Sequence, residues 1–339
     1  MEHHPEAALH LAANLCITSG WIGTPADGLA ALKSALDRFR SMPLVDGAAN
    51  LYRQRLLANA LYVQGLFGMG IGGTPFVLQS LLEAISTARL IGDKRILGYS
   101  LEMFYTASTF RHPLAEADAA EEGFAILSEI NDDWGMSIAT MNMARIAAAR
   151  GDTHESQRYF GLLKERLQDA SVSFQAGLGL LGMGYDERFR GHLDMAKGHF
   201  EAGLKIFKQL RYKLFETVVM AELGHIARLT GEIVQAQKTY QETITRFQDL
   251  GNRAAVAHQW ECFAFIATVE KEPQRAAKLF GAAEALRERL DSQMTDYERV
   301  EYDQSVAQLR AMLPAAGFNA LWAEGRSMTM EQAIQFAVD

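Results

Sequence analysis

Several groupings in the chain have residue types suited to chemistry. Gly68-Met69-Gly70-Ile71-Gly72-Gly73-Thr74 has the glycine density of a phosphate-cradling loop. A Walker A loop needs Gly-x-x-x-x-Gly-Lys-Ser/Thr between a strand and a helix. No lysine and no preceding strand are found here, so the stretch reads as an inter-helix loop. His192 and His199 stand two helical turns apart, but Gly191 interrupts the helix and no cysteine or carboxylate completes a ligand set. His3, His4 and His10 fall at an end expected to fray. Cys16 and Cys262 have no histidine in a recognisable nucleophile motif. Glu187 and Glu222 read as ordinary helix carboxylates. No catalytic constellation emerges, and the chain is expected to be non-enzymatic, with no cofactor and no metal. What remains is binding chemistry. Arg145, Arg188 and Arg228 can grip a carboxylate or phosphate bidentately, and Tyr185 and His225 can stack or hydrogen-bond beside them.

These residues are ordered by an internal repeat. Arg111-His112-Pro113, Arg150-Gly151-Asp152, Arg190-Gly191-His192, Thr230-Gly231-Glu232 and Glu270-Lys271-Glu272 start 39, 40, 40 and 40 residues apart. Each breaks two apolar stretches of helical period. A fixed period in this range means stacked supersecondary units, each burying its apolar face on the next. Six residues before the breakers stand Tyr105, Ala144, Gly184, Gly224 and Ala264, mostly small. Six after them stand Ala117, Ser156, Ala196, Ala236 and Ala276, all small; ten after stand Glu121, Phe160, Phe200, Tyr240 and Phe280, mostly aromatic. Phe104, Met143, Met183, Leu223 and Phe263, seven before, are all large. Small positions let helices approach closely, and large ones fill the gap to the next pair. The expected fold is all-α: a right-handed solenoid of antiparallel helix pairs with a C-terminal helical cap.

The small–small–aromatic spacing resembles the tetratricopeptide repeat, with a unit longer than that family's usual length of about 34 residues. The resemblance implies an inner groove lined by first-helix positions twelve, nine, five and two residues before each breaker. The first two columns read Tyr99, Ile138, Leu178, Val218, His258 and Glu102, Met141, Leu181, Ala221, Glu261. The others read Thr106, Arg145, Tyr185, His225, Phe265 and Thr109, Ala148, Arg188, Arg228, Thr268. Arg145, Tyr185, Arg188, His225, Arg228, Met141, Leu181, His258 and Glu261 are therefore the candidate contacts for a protein segment or a small-molecule inducer. A second reading stays open: Arg188 and Arg228 pair with carboxylates such as Asp186 and Glu222.

Composition narrows the partners. Net charge is −8 and no Lys/Arg cluster forms a basic stripe, so direct nucleic-acid binding is not expected. Lys205, Lys208, Arg211 and Lys213 fall at a helix end, where cations offset the helix dipole. No apolar run is long enough to span a bilayer. The start lacks the basic and apolar regions of a signal peptide, and two distant cysteines make no disulfide framework. A cytoplasmic setting is the resulting expectation.

The expected anatomy is divergent helix pairs over 1–92, five repeats over 93–290 and a helical cap over 291–339, in one continuous solenoid. Helices are expected over about Pro5–Thr18, Asp27–Arg40, Ala48–Phe67 and up to Leu90. Capping boxes at Thr295–Glu298 and Thr329–Gln332 open two C-terminal helices, with a short helix around Phe318–Glu324 between them. Three C-terminal stretches carry a second resemblance. They are Arg275-Ala-Ala-Lys-Leu-Phe-Gly-Ala-Ala-Glu-Ala-Leu-Arg287, Tyr297-Glu-Arg-Val-Glu-Tyr302, and Phe318-Asn-Ala-Leu-Trp-Ala-Glu-Gly-Arg-Ser-Met-Thr-Met-Glu-Gln-Ala333. They resemble the helical-repeat region of bacterial STAND-class signal-transduction ATPases, many of them transcriptional regulators of the maltose-activator kind. Pro5–Phe39 resembles the segment after the nucleotide-binding module of that class. The resemblance implies a sensor domain working with an attached ATPase module, so the chain is a fragment of such a regulator or a stand-alone relative. A scaffold joining proteins without a switch is the alternative function.

Overall fold

The computed structural model describes residues 4–22, 25–43, 45–68, 74–109, 114–168, 174–292, 294 and 296–339. Among them the chain forms 17 helices and no strand. The first four are α1 (Pro5–Ile22), α2 (Pro25–Arg40), α3 (Gly47–Gly68) and α4 (Thr74–Ile91). Five pairs follow: α5 (Lys94–Ser108) with α6 (Ala117–Glu129), α7 (Asp133–Ala149) with α8 (Thr153–Gln168), α9 (Phe174–Phe189) with α10 (Leu193–Leu210), α11 (Lys213–Leu229) with α12 (Ile233–Asp249), and α13 (Arg253–Val269) with α14 (Pro273–Leu290). The chain ends in α15 (Asp296–Met312), α16 (Ala315–Arg326) and α17 (Met330–Val338). The fold is the all-α, tetratricopeptide-like solenoid with a helical cap that the period implied. Several sequence features lie outside the described residues: the breaker Arg111-His112-Pro113, positions 69–73 of the glycine stretch, and Thr295.

The turns explain the period. Each described breaker has a left-handed residue at its centre: Gly151 (φ 79°), Gly191 (φ 80°), Gly231 (φ 84°) and Lys271 (φ 62°). The next N–H then donates to the carbonyl five residues back: Asp152 to Ala147, His192 to Glu187, Glu232 to Ala227 and Glu272 to Ala267. This is Schellman closure, which satisfies carbonyls that a helix end leaves orphaned. A second set of left-handed residues, Gly92, Asn131, Arg211, Gly251 and Asp291, closes the helices between repeats in the same way. The columns read from the sequence miss this second set, because only two of its residues are glycine.

The small and aromatic columns meet. A Cβ built on Gly184 would lie 2.4 Å from the Phe200 ring, and one on Gly224 would lie 2.8 Å from the Tyr240 ring. Phe200 of α10 and Tyr240 of α12 thus lie against the bare backbone of their own first helices. Phe200, Tyr240 and Phe280 are fully buried there, as are Ala196, Ala236 and Ala276.

The array winds far enough to bring its first helix into contact with α11. α1 packs against α11 as well as against α2 and α3. At the other end, α14 and α16 cross with backbones touching: a Cβ on Gly281 would fall 2.3 Å from the Trp322 carbonyl oxygen, and one on Gly325 would fall 1.9 Å from that of Lys278. Trp322 Nε1 donates to Glu284 at 2.7 Å, and Arg326 pairs with Glu284 and Glu288. The first and third of the C-terminal stretches quoted above are therefore the two faces of one helix crossing. The Thr329–Gln332 capping box forms as read, with both reciprocal bonds present.

Candidate binding site

All nine candidate contacts lie on the first helices α7, α9, α11 and α13, but in differing environments. Leu181 is buried in the cluster of Phe200, Phe207 and Val219. Met141 packs its sulfur against the Gly182 backbone of the next first helix. Glu261 is buried and takes two hydrogen bonds from Arg287 of α14, at 2.6 and 2.8 Å. Burial alone would raise the Glu261 carboxyl, but Arg287 and His258 bring it down to about 2. These three residues hold the stack together. Met141, Arg145, Tyr185, Arg188, Arg228 and His258 keep partial exposure, so they form the accessible part of the set.

The cationic residues are partnered. Arg188 lies 3.2 Å from Glu222 on the neighbouring first helix. Asp186, its other possible partner, binds Arg190 instead, at 3.0 Å. Arg228 forms a two-point contact with Glu301 of α15, at 2.5 and 2.9 Å, and lies over the Phe265 ring. Arg145 donates to Thr109 and lies over Tyr105. Tyr185 packs edge-on to Phe200; burial, with Glu222 nearby, raises its hydroxyl pKa although Arg188 and Arg145 oppose the shift. Two of the carboxylates these residues meet, Glu298 and Glu301, come from α15.

His225 stands at the centre. Its Nδ1 is 2.8 Å from the Tyr240 hydroxyl and 3.6 Å from Cys262 Sγ; its Nε2 is 3.9 Å from Glu222. Burial, reinforced by His258, Arg188 and Arg228, keeps His225 well below the usual histidine range. It is therefore neutral at neutral pH. His258 turns Nε2 to Cys262 at 3.8 Å and Nδ1 to Glu261 at 3.0 Å, with Glu298 of α15 at 3.7 Å.

Sequence reasoning missed Tyr240, Cys262, Arg287, Glu298 and Glu301 as parts of this region. One signal was present. Cys262 follows His258 by four, which puts both side chains on one helix face. The carboxylates of α15 carried none, because that helix lies outside the period.

No family model matches the chain, and no curated protein matches it. Among solved structures, the chain is similar to a Rap protein complexed with competence and sporulation factor, at a TM-score of 0.55 and 10% identity, with 94% of this chain and 99% of that one covered. It is also similar to the apo form of the quorum sensor NprR from B. thuringiensis, at a TM-score of 0.45 and 12% identity, with 90% and 87% covered. At such identities the likeness is one of fold.

Proposed function

We propose that this chain is a non-catalytic, tetratricopeptide-like regulatory domain whose concave first-helix face binds a carboxylate-bearing segment of a protein. The observation that carries the reading is the two-point grip of Arg228 on Glu301. A helix outside the repeats already delivers an acidic side chain to the groove, so the surface has the chemistry to hold such a segment. Arg145, Tyr185, Arg188 and His258 extend the contact surface beside it. The fold likeness to a protein solved together with competence and sporulation factor supports a binding role for this architecture. The finer reading, the sensor part of a STAND-type ATPase or transcriptional regulator, rests on the C-terminal stretches. Their first and third members build the α14–α16 crossing, so they support a shared cap more directly than a shared output. A scaffold without a switch fits the same groove.

The test uses a fluorescent peptide copying Asp296–Met312, offered to the full chain with Glu298→Gln and Glu301→Gln, whose own α15 no longer brings those charges. Binding that disappears when Arg228→Ala is added supports the groove. Absence of binding, or binding indifferent to Arg228, counts against it. A partner captured from lysate by the Glu301→Gln chain separates the two outputs: an ATPase with altered turnover supports the sensor, and two proteins joined without change in either support the scaffold.

A further inference from the structure

We propose that His225, His258 and Cys262 form a binding site for one soft or borderline d10 metal ion, zinc(II) or copper(I), between the last two repeats. One nitrogen of each histidine and the Cys262 sulfur all lie within 4.8 Å of one another. The Cys262 sulfur is 3.6 Å from His225 Nδ1 and 3.8 Å from His258 Nε2. Bonds of about 2.3 Å to sulfur and about 2.0 Å to nitrogen separate donor atoms by roughly 3.5 Å in a tetrahedral site. The two sulfur–nitrogen separations are thus close to coordination distances. Thiolate with imidazole is also the donor set that favours these ions over magnesium or calcium.

The surroundings match those of a metal site. The nitrogen of His258 that faces away from the cluster meets Glu261 at 3.0 Å, and Glu261 is itself fixed by Arg287. The remaining nitrogen of His225 faces Glu222 at 3.9 Å. A carboxylate on the non-ligating nitrogen, as Glu261 is on His258, holds the ring orientation and the tautomer that coordination needs. The Tyr240 hydroxyl hydrogen-bonds His225 Nδ1 at 2.8 Å, a contact that a bound ion would replace. Cys262 and His225 are buried, whereas His258 is about a quarter exposed (23%) beneath Glu298, which gives an ion a way in. The ligands come from α11 and α13, the first helices of successive repeats, so a bound ion would tie the two together. This inference stands apart from the segment-binding reading. It shares only His258 with that surface, and its test contains no peptide.

The experiment uses the full reduced chain, stripped by chelator and titrated separately with zinc(II) and copper(I) against chromophoric competitors, and with cobalt(II) as an optical probe. The expected result is one equivalent per chain, a raised melting temperature, and a near-ultraviolet thiolate-to-cobalt band. Cys262→Ser should abolish the band and weaken binding by at least about 100-fold, while Cys16→Ser keeps both. His258→Gln, checked by circular dichroism, serves as the second ligand variant. The tighter of the two ions is the one assigned. Failure of all three ions to bind the parent chain stoichiometrically overturns the site. So does binding that survives both ligand variants or depends on Cys16; the cluster is then a hydrogen-bonded core feature only.

Discussion

The guanidinium of Arg228 and the carboxylate of Glu301 meet across 73 residues of chain, one on a repeat and the other on a helix outside the period. The pair is supported by packing on both sides. Phe265 lies under the arginine at 5.0 Å, and Tyr302 and Leu309 of α15 are buried in the cluster that includes Trp260 and Phe280. A mostly buried ion pair attached to an apolar helix face loses more when one partner is removed than when both are.

This gives the first prediction. Arg228→Ala and Glu301→Ala should each destabilise the chain by roughly 1–3 kcal/mol, and the double variant by clearly less than their sum. Hydrogen exchange should locate the loss in Asp296–Met312. Additive effects, or exchange that quickens elsewhere and not in α15, would show that the contact does not hold the helix.

The second prediction concerns the two glycines that let α14 and α16 touch. Gly325→Ala places a methyl group against the Lys278 carbonyl, a backbone atom that cannot swing aside. The helices must separate, at a cost of roughly 1–3 kcal/mol or more. Gly317, on the same helix, faces open space. Gly317→Ala should therefore be neutral or stabilising by up to about 1 kcal/mol, since alanine loses less backbone entropy in a helix. Urea midpoints moving the same way in both variants would refute the crossing.

The repeat was legible because it recurs. Breakers at Gly151, Gly191 and Gly231, small positions at Gly184 and Gly224, and aromatics at Phe200 and Tyr240 report one geometry several times. The capping box at Thr329 and Gln332 was legible because its chemistry is local. The site was only partly legible. Column position placed Arg188 and Arg228 on first helices, and Glu222 stood among the carboxylates read as partners, but Glu301 did not, because it belongs to no repeat. Leu181 and Glu261 occupy groove columns yet are buried, because neighbouring first helices and Arg287 close over them. Helical spacing fixes a side chain's face, while what covers that face is set by superhelical winding, which no local pattern encodes. The approach of His225 to Cys262 was hidden for the same reason.

The third prediction is a pH dependence centred on Glu102. Its carboxyl is buried between α5 and α7, where Oε2 accepts from Asn142 at 2.8 Å and Oε1 has no hydrogen-bond partner. Burial pushes its pKa up to about 8 from an ordinary value of 4.5, although the Asn142 bond opposes the shift. Between those two values the folded chain keeps a proton that the unfolded chain has released. This group's contribution to stability is therefore present at low pH, declines as pH rises through the window, and is gone above about 8. Glu102→Gln keeps the shape and the acceptor for Asn142 but has no proton to lose. At pH 5 the variant should match the parent to within about 1 kcal/mol, and at pH 9 it should be more stable by roughly 2–4 kcal/mol. Paired urea melts at the two pH values measure the difference directly. The same gain at both, or a loss confined to pH 9, would mean that the carboxyl is already ionised in the fold and that water or Asn142 supports its charge.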